Sequence, residues 1–147
     1  MIRSLACVGL LCVATPLAAQ DAGLPDALRV SWQDVAPHVE ASRGDVVTVA
    51  LGVADERRGP LAARRLWARR EAEAHARAAL HAWIDAAITH ARLDGATIAA
   101  LHQVVDDHAE VTATRARVDG SACVEVIVAL RHLVAAAPSA RGLPWSD

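Results

Sequence analysis

Seven histidines give this chain most of its capacity for chemistry, so their spacing comes first. His102, Asp106 and His108 stand close together, and imidazole with carboxylate is a donor set that suits zinc. If the chain turns at Asp107, these three side chains can gather one ion, which makes them the candidate metal site. His81 and Asp85 are four residues apart and can share a helix face, as can Glu71 and His75. His75 and His81 are six apart, about 120° out of alignment on an α-helix, so they cannot serve one ion unaided. No helical pair of histidines brackets a general base, and no cysteine pair is present after position 12.

Nucleophilic and phosphate chemistry find no comparable support. The serines at 31, 42, 121, 139 and 146 lack the G-x-S-x-G setting of a strained nucleophile turn. Cys123 with a distant histidine is too generic a pairing in a chain with seven histidines. The glycines are scattered and form no phosphate-cradling loop. Asp106 and Asp107 are adjacent carboxylates, suited to ending an element and not to facing each other across a substrate. The sequence therefore carries no catalytic signature, and no cofactor is expected.

The elements that must position these residues are legible from periodicity. Asp45 opens a β-branched run in which Val47, Val49, Leu51 and Val53 alternate onto one strand face. Thr48, Ala50, Gly52 and Ala54 make the other face, small enough for a helix to lie close against it. Pro60 suits the first turn of a helix, and Leu61 to about Leu93 is rich in alanine, leucine, arginine and glutamate. Ala68, Ala72, Ala76, Leu80, Trp83, Ala87 and Ala91 form one stripe along it. Asp94-Gly95 is expected to stop that helix. Ala96 to Asp106 fits a short amphipathic helix better than a strand. Val111–Val118 and Ala122–Leu130 read as two strands joined by the turn dipeptide Asp119-Gly120.

The expected fold class is therefore α+β: a small antiparallel sheet built as strand, long helix, short helix and β-hairpin. The long helix packs across one face, because each element has one apolar side to bury. The domain is expected over residues 45–134. Residues 20–44, interrupted by Pro25 and Pro37, form a lead-in with one short helix at most, and residues 135–147 form a flexible tail.

Residues 1–19 have the parts of a cleavable signal peptide. Arg3 precedes an apolar run from Leu5 to Ala14, followed by Pro16 and the small residues Ala18-Ala19. The run is shorter than the ~20 residues a spanning helix needs, so cleavage after Ala19 is expected, with no membrane span afterwards. Cys12 follows Leu11 and Cys7 comes too early, so neither suits lipid attachment. The expected location is periplasmic or secreted. Cleavage also removes two of three cysteines, leaving Cys123 with no internal partner. In a strand-like run its default state is a buried, inert thiol, the alternative being an intermolecular disulfide.

Charge narrows the partners. The net charge is −2, and all cationic side chains are arginine. A slightly acidic chain does not fit nucleic acid, which calls for a net basic face. The basic run Arg57-Arg58, Arg64-Arg65, Arg69-Arg70 is followed by Glu71 and Glu73. It reads as a solvated helix face, with an anion site as the alternative.

Three segments taken together resemble a known family. They are Ala50-Leu51-Gly52-Val53-Ala54, the helix around Ala68-Arg69-Arg70-Glu71-Ala72 through Leu80, and the Asp119-Gly120 hairpin. Over residues 45–131 the chain resembles the twenty-kilodalton envelope lipoprotein (LPP-twenty) family and the related N-terminal domain of the flagellar T-ring protein FlgT. It departs from them in lacking a lipid-attachment cysteine and the aromatic residues of the hairpin. The resemblance implies a structural or assembly role in the cell envelope, with another envelope protein as partner. The expected function is accordingly an exported, non-enzymatic cell-envelope domain with a structural, assembly or protein-interaction role, binding another envelope component through its sheet edge or helix face. The alternative is a periplasmic metal-binding protein using His102, Asp106 and His108.

Overall fold

The computed structural model describes residues 33–145, apart from 90, 92, 139 and 141. The expected signal peptide and most of the expected lead-in lie outside the described residues.

Seven regular elements follow in order: β1 (Val35–Glu40), β2 (Asp45–Gly52), α1 (Leu61–Ile88), α2 (Gly95–His108), β3 (Glu110–Ala116), β4 (Ala122–Ala129) and α3 (Leu130–Ala136). A short 3-10 turn, Glu56–Arg58, precedes α1. The strands form one antiparallel sheet in the order β1-β2-β4-β3. The long helix α1 crosses one face of it, so the fold is α+β as expected.

Alternation decides which face α1 covers. Val46 and Ala50 of β2, with Val124, Val126 and Val128 of β4, join the main core beneath α1. Val47, Val49 and Cys123 are also buried, but their parity turns them to the opposite face. The stripe on α1 buries Ala68, Ala72, Ala76, Leu80 and Ile84. Small residues let the helix axis come close. Gly52 marks the tightest approach, because a Cβ built there would lie 1.7 Å from the carbonyl oxygen of Ala68. Farther along, the interface widens and Trp83 meets Trp145 with ring centroids 5.0 Å apart.

Four details depart from the sequence reading. First, residues 35–40 add an edge strand to a segment expected to hold at most a short helix. Pro37 lacks an N–H and sits where the β1–β2 register slips between Val35 and His38. Side chains mend the gap: Thr48 Oγ1 donates to the carbonyl of Val35 at 2.9 Å, and Asp34 Oδ1 accepts the N–H of Leu51 at 2.8 Å. Second, Asp94-Gly95 starts a helix where a stop was expected. The Asp94 carboxylate caps α2 by accepting the Thr97 N–H at 2.7 Å, while α1 has already ended at Ile88.

Third, five residues, 117–121, separate β3 from β4, and the Arg117–Ser121 bond closes a three-residue turn, Val118-Asp119-Gly120, where a two-residue turn was expected. The Arg117 N–H donates to Ser121, the Gly120 N–H donates to Arg117, and Gly120 takes φ 97°. That is a type I turn closed by a left-handed glycine. Fourth, the chain after β4 forms a helix that was not expected, α3, which runs across the expected start of the tail at 135, and part of the remaining tail packs. Leu143 and Trp145 are 1% and 7% exposed and join the core, because the sheet–helix sandwich leaves an apolar end that they fill.

Candidate functional site

The helices α1 and α2 carry the same four-residue spacing of histidine and aspartate. His81 and Asp85 occupy one face of α1; His102 and Asp106 occupy one face of α2. The helices run antiparallel, as the cross-contacts show: Arg77 reaches Ala109, His81 reaches Asp106, and Asp85 reaches His102. The two faces therefore meet head to tail.

The result is one continuous chain of hydrogen bonds. Asp106 Oδ1 lies 3.2 Å from His81 Nε2, His81 Nδ1 lies 2.8 Å from His102 Nδ1, and His102 Nε2 lies 3.0 Å from Asp85 Oδ1. The imidazole rings are nearly parallel, with centroids 5.1 Å apart. Carboxylates only accept, so each Nε2 must carry a hydrogen. The central contact needs one further proton, shared between the two Nδ1 atoms. All three bonds are thus satisfied when one ring is imidazolium and the other neutral. The rings are half-buried, at 30% and 28% exposure, while Asp85 and Asp106 reach into solvent.

Arg77 anchors the neighbouring turn. Its guanidinium donates to the carbonyls of Ala109 at 2.9 Å and Val105 at 3.3 Å, and pairs with Glu73 at 3.3 Å. These carbonyls end α2, where a cation also meets the negative pole of the helix. The arginine therefore sets the pitch at which α2 lies on α1, and with it the meeting of His81 and His102.

Of the residues singled out from sequence, His102 and Asp106 come together and His108 does not. α2 continues through His108 without turning at Asp107. Six residues along a helix rotate His108 about 120° away from His102. There its ring stacks on His132 of α3, with centroids 4.0 Å apart and planes within 5°. His132 is held below its ordinary value of 6.5, first by partial burial, then by His108 and Arg131; Glu110 opposes them. His81 and Asp85 supply the other half of the cluster, and their shared face was readable from sequence. Their meeting with α2 was not. Among the described residues no three histidine, cysteine, aspartate or glutamate side chains form a ready metal cage.

Cys123 is a free thiol in mid-strand, buried and opposite Leu51 and Arg115 in the register. Burial pushes it above its ordinary value, so it rests as a thiol and makes a poor nucleophile. The charges acting on it are those of Arg115, Asp34, Glu125 and Arg117, with no histidine base among them.

A second surface lies at the other end of α1. Trp67 is 45% exposed, and guanidinium carbons of Arg58 and Arg70 sit 4.7 Å and 5.6 Å from its ring centre. Both distances fall within cation–π range. Val53, which shares the hollow of Trp67, is 72% exposed. Together with Ala54, Asp55 and Glu71, the two arginines, Val53 and Trp67 line an open hollow of about 470 Å³. The close seat of Ala68 on Gly52 fixes this turn of the helix against the sheet. Part of the arginine-rich run is thus organised around an aromatic ring; it is more than a solvated face.

No protein-family model, no curated protein and no solved structure matches this chain.

Proposed function

We propose that this chain is an exported, non-enzymatic domain of the cell envelope, periplasmic or secreted, that binds another envelope protein through the Trp67 surface. The observation that carries the reading is the exposed ring of Trp67, clasped by Arg58 and Arg70 and sharing its hollow with exposed Val53. Tryptophan and arginine are the residue types that dominate binding energy at protein interfaces. Held by the two guanidiniums, the ring loses little freedom on docking. The sheet edges are poorer docking sites: β1 holds Pro37, and both outer strands are bulged. The features of residues 1–19 support export. Among the described residues no helix is long and apolar enough to cross a membrane. The resemblance to the LPP-twenty family over residues 45–131 points to the same kind of role.

The partner's contact surface should be acidic with an apolar centre. Between positions 55 and 70 six arginines stand against two carboxylates, so association should weaken as salt rises. The test is site-specific photocrosslinking in envelope preparations, with the reactive group at position 67 or at exposed Ala86 of the same helix. A discrete adduct from position 67, absent from 86 and lost with Arg58→Glu and Arg70→Glu, is the expected result. Adducts of equal yield from both positions, or none from 67, would sink this reading.

A further inference from the structure

We propose that His81 and His102 together form a binding site for a divalent transition-metal ion of the zinc class. The site differs in membership and place from the His102, Asp106 and His108 triad expected from sequence, and it is independent of the Trp67 surface. Three observations carry it. The first is that both rings present the same nitrogen, Nδ1, to a common point between α1 and α2.

The second observation is that each opposite nitrogen is already committed. His81 Nε2 faces the Asp106 carboxylate and His102 Nε2 faces that of Asp85, at 3.2 Å and 3.0 Å. A carboxylate holding the far N–H of an imidazole fixes its tautomer and ring orientation and raises its basicity as a ligand. Metal-bound histidines are typically supported in this way. Here the support is duplicated, once from each helix and each time across the helix pair. An isolated histidine on a solvated face has no such arrangement.

The third observation is distance and access. The Nδ1 atoms are 2.8 Å apart, a separation for one shared proton. Zinc–nitrogen bonds of 2.0–2.1 Å at a tetrahedral angle require about 3.3–3.4 Å between donors. The 5.1 Å centroid separation leaves the two Nδ1 lone pairs aimed almost straight at each other. An ion would replace the shared proton once the nitrogens moved apart by about 0.5 Å and each ring swung by about 35° to turn its lone pair toward the ion. Both rings are partly exposed, so an ion can reach the point from solvent. Two nitrogens come from the protein and water completes the sphere, consistent with the lack of a three-residue cage among the described residues. Imidazole donors select zinc, copper or nickel over magnesium or calcium.

Zinc chloride titrated calorimetrically into the purified, metal-free protein tests the site. One ion per chain at micromolar affinity is expected, and magnesium chloride should give no heat of binding. His81→Gln and His102→Gln should each abolish it, whereas His108→Gln should leave it unchanged. Asp85→Asn and Asp106→Asn, which touch the rings but not the ion, should weaken it by roughly 10–100-fold. Nuclear magnetic resonance of the histidine side chains covers the case where a variant fails to fold. In the unaltered protein, zinc should shift His81 and His102 first, and His38 and His75 only at large excess. Absence of binding, binding retained in the doubly substituted His81→Gln/His102→Gln protein, or first shifts at His108 and His132 would overturn the proposal.

Discussion

In Gly52→Ala, one methyl group would have to occupy space held by the backbone of α1. The added carbon would stand 1.7 Å from the Ala68 oxygen, 2.6 Å from its carbonyl carbon and 3.0 Å from its Cα. Non-bonded heavy atoms settle at roughly 3.5 Å, so the helix must withdraw by about 1.5–2 Å at this turn. No rotamer relieves the clash, because the obstructing atoms are main chain. Overpacking of this kind commonly costs 1–3 kcal/mol; with rigid backbone on one side and a central strand on the other, about 3–5 kcal/mol is expected. At a urea m-value of about 2 kcal/mol/M, the midpoint falls by roughly 1.5–2.5 M. Urea unfolding followed by helical circular dichroism measures it. Two controls isolate the cause. Ala68→Gly should fail to rescue the variant, since the clash is with a carbonyl oxygen that glycine keeps. Gly95→Ala meets nothing within 4 Å at the start of α2, so it should be neutral or slightly stabilising. A loss below about 1 kcal/mol for Gly52→Ala, or rescue by Ala68→Gly, would refute the reasoning. Because Trp67 precedes Ala68, the same substitution should also weaken crosslinking from position 67.

Two further perturbations test how α2 is held. Arg77→Met keeps the aliphatic stem but removes the donors to the Val105 and Ala109 carbonyls; a loss of about 1–2 kcal/mol in urea unfolding is expected, with Arg77→Lys intermediate. His132 supplies the pH dependence. Its folded-state affinity for protons is lowered from an ordinary 6.5, so the unfolded chain binds the proton more readily. The stability it contributes is complete above 6.5 and is lost as pH falls from there through the lowered folded value. Unfolding midpoints measured between about pH 5 and pH 8 should fall on the acid side, and His132→Gln should flatten that slope.

The parts of the fold that could be read from sequence are those where one residue pattern admits one structure. The alanine stripe of α1 has one side to bury, the small residues of β2 seat it, and the Asp119-Gly120 turn closes the hairpin; together they give the sheet and the helix across it. The parts misread are those where local chemistry has two uses. Aspartate followed by glycine can end a helix or cap the next one; Asp94 does the second because α1 has already stopped at Ile88. Proline argues against a strand in general, but Pro37 sits on an outer strand at a slip in register, where a missing N–H costs little. Leu143 and Trp145 stand among Pro, Gly and Ser, the composition of a loose tail, and only the shape of the assembled core gives them somewhere to bury.

The histidine cluster follows the same logic one level higher. The four-residue spacing of His81 and Asp85 is a local property, visible in the sequence, and the spacing of His102 and Asp106 is the same. What joins them is the antiparallel return of α2 along α1, which Arg77 and the Asp94 cap hold at one pitch. A shift of α2 by one residue would turn its donors by about 100° and dissolve the cluster. Sequence proximity pointed instead to His108, two residues beyond Asp106, and helical geometry forbids that choice once α2 is known to continue. The geometry of the cluster therefore depends on a helix contact one turn away from the rings. Arg77→Met should accordingly weaken zinc binding as well as stability, although Arg77 touches neither ligand.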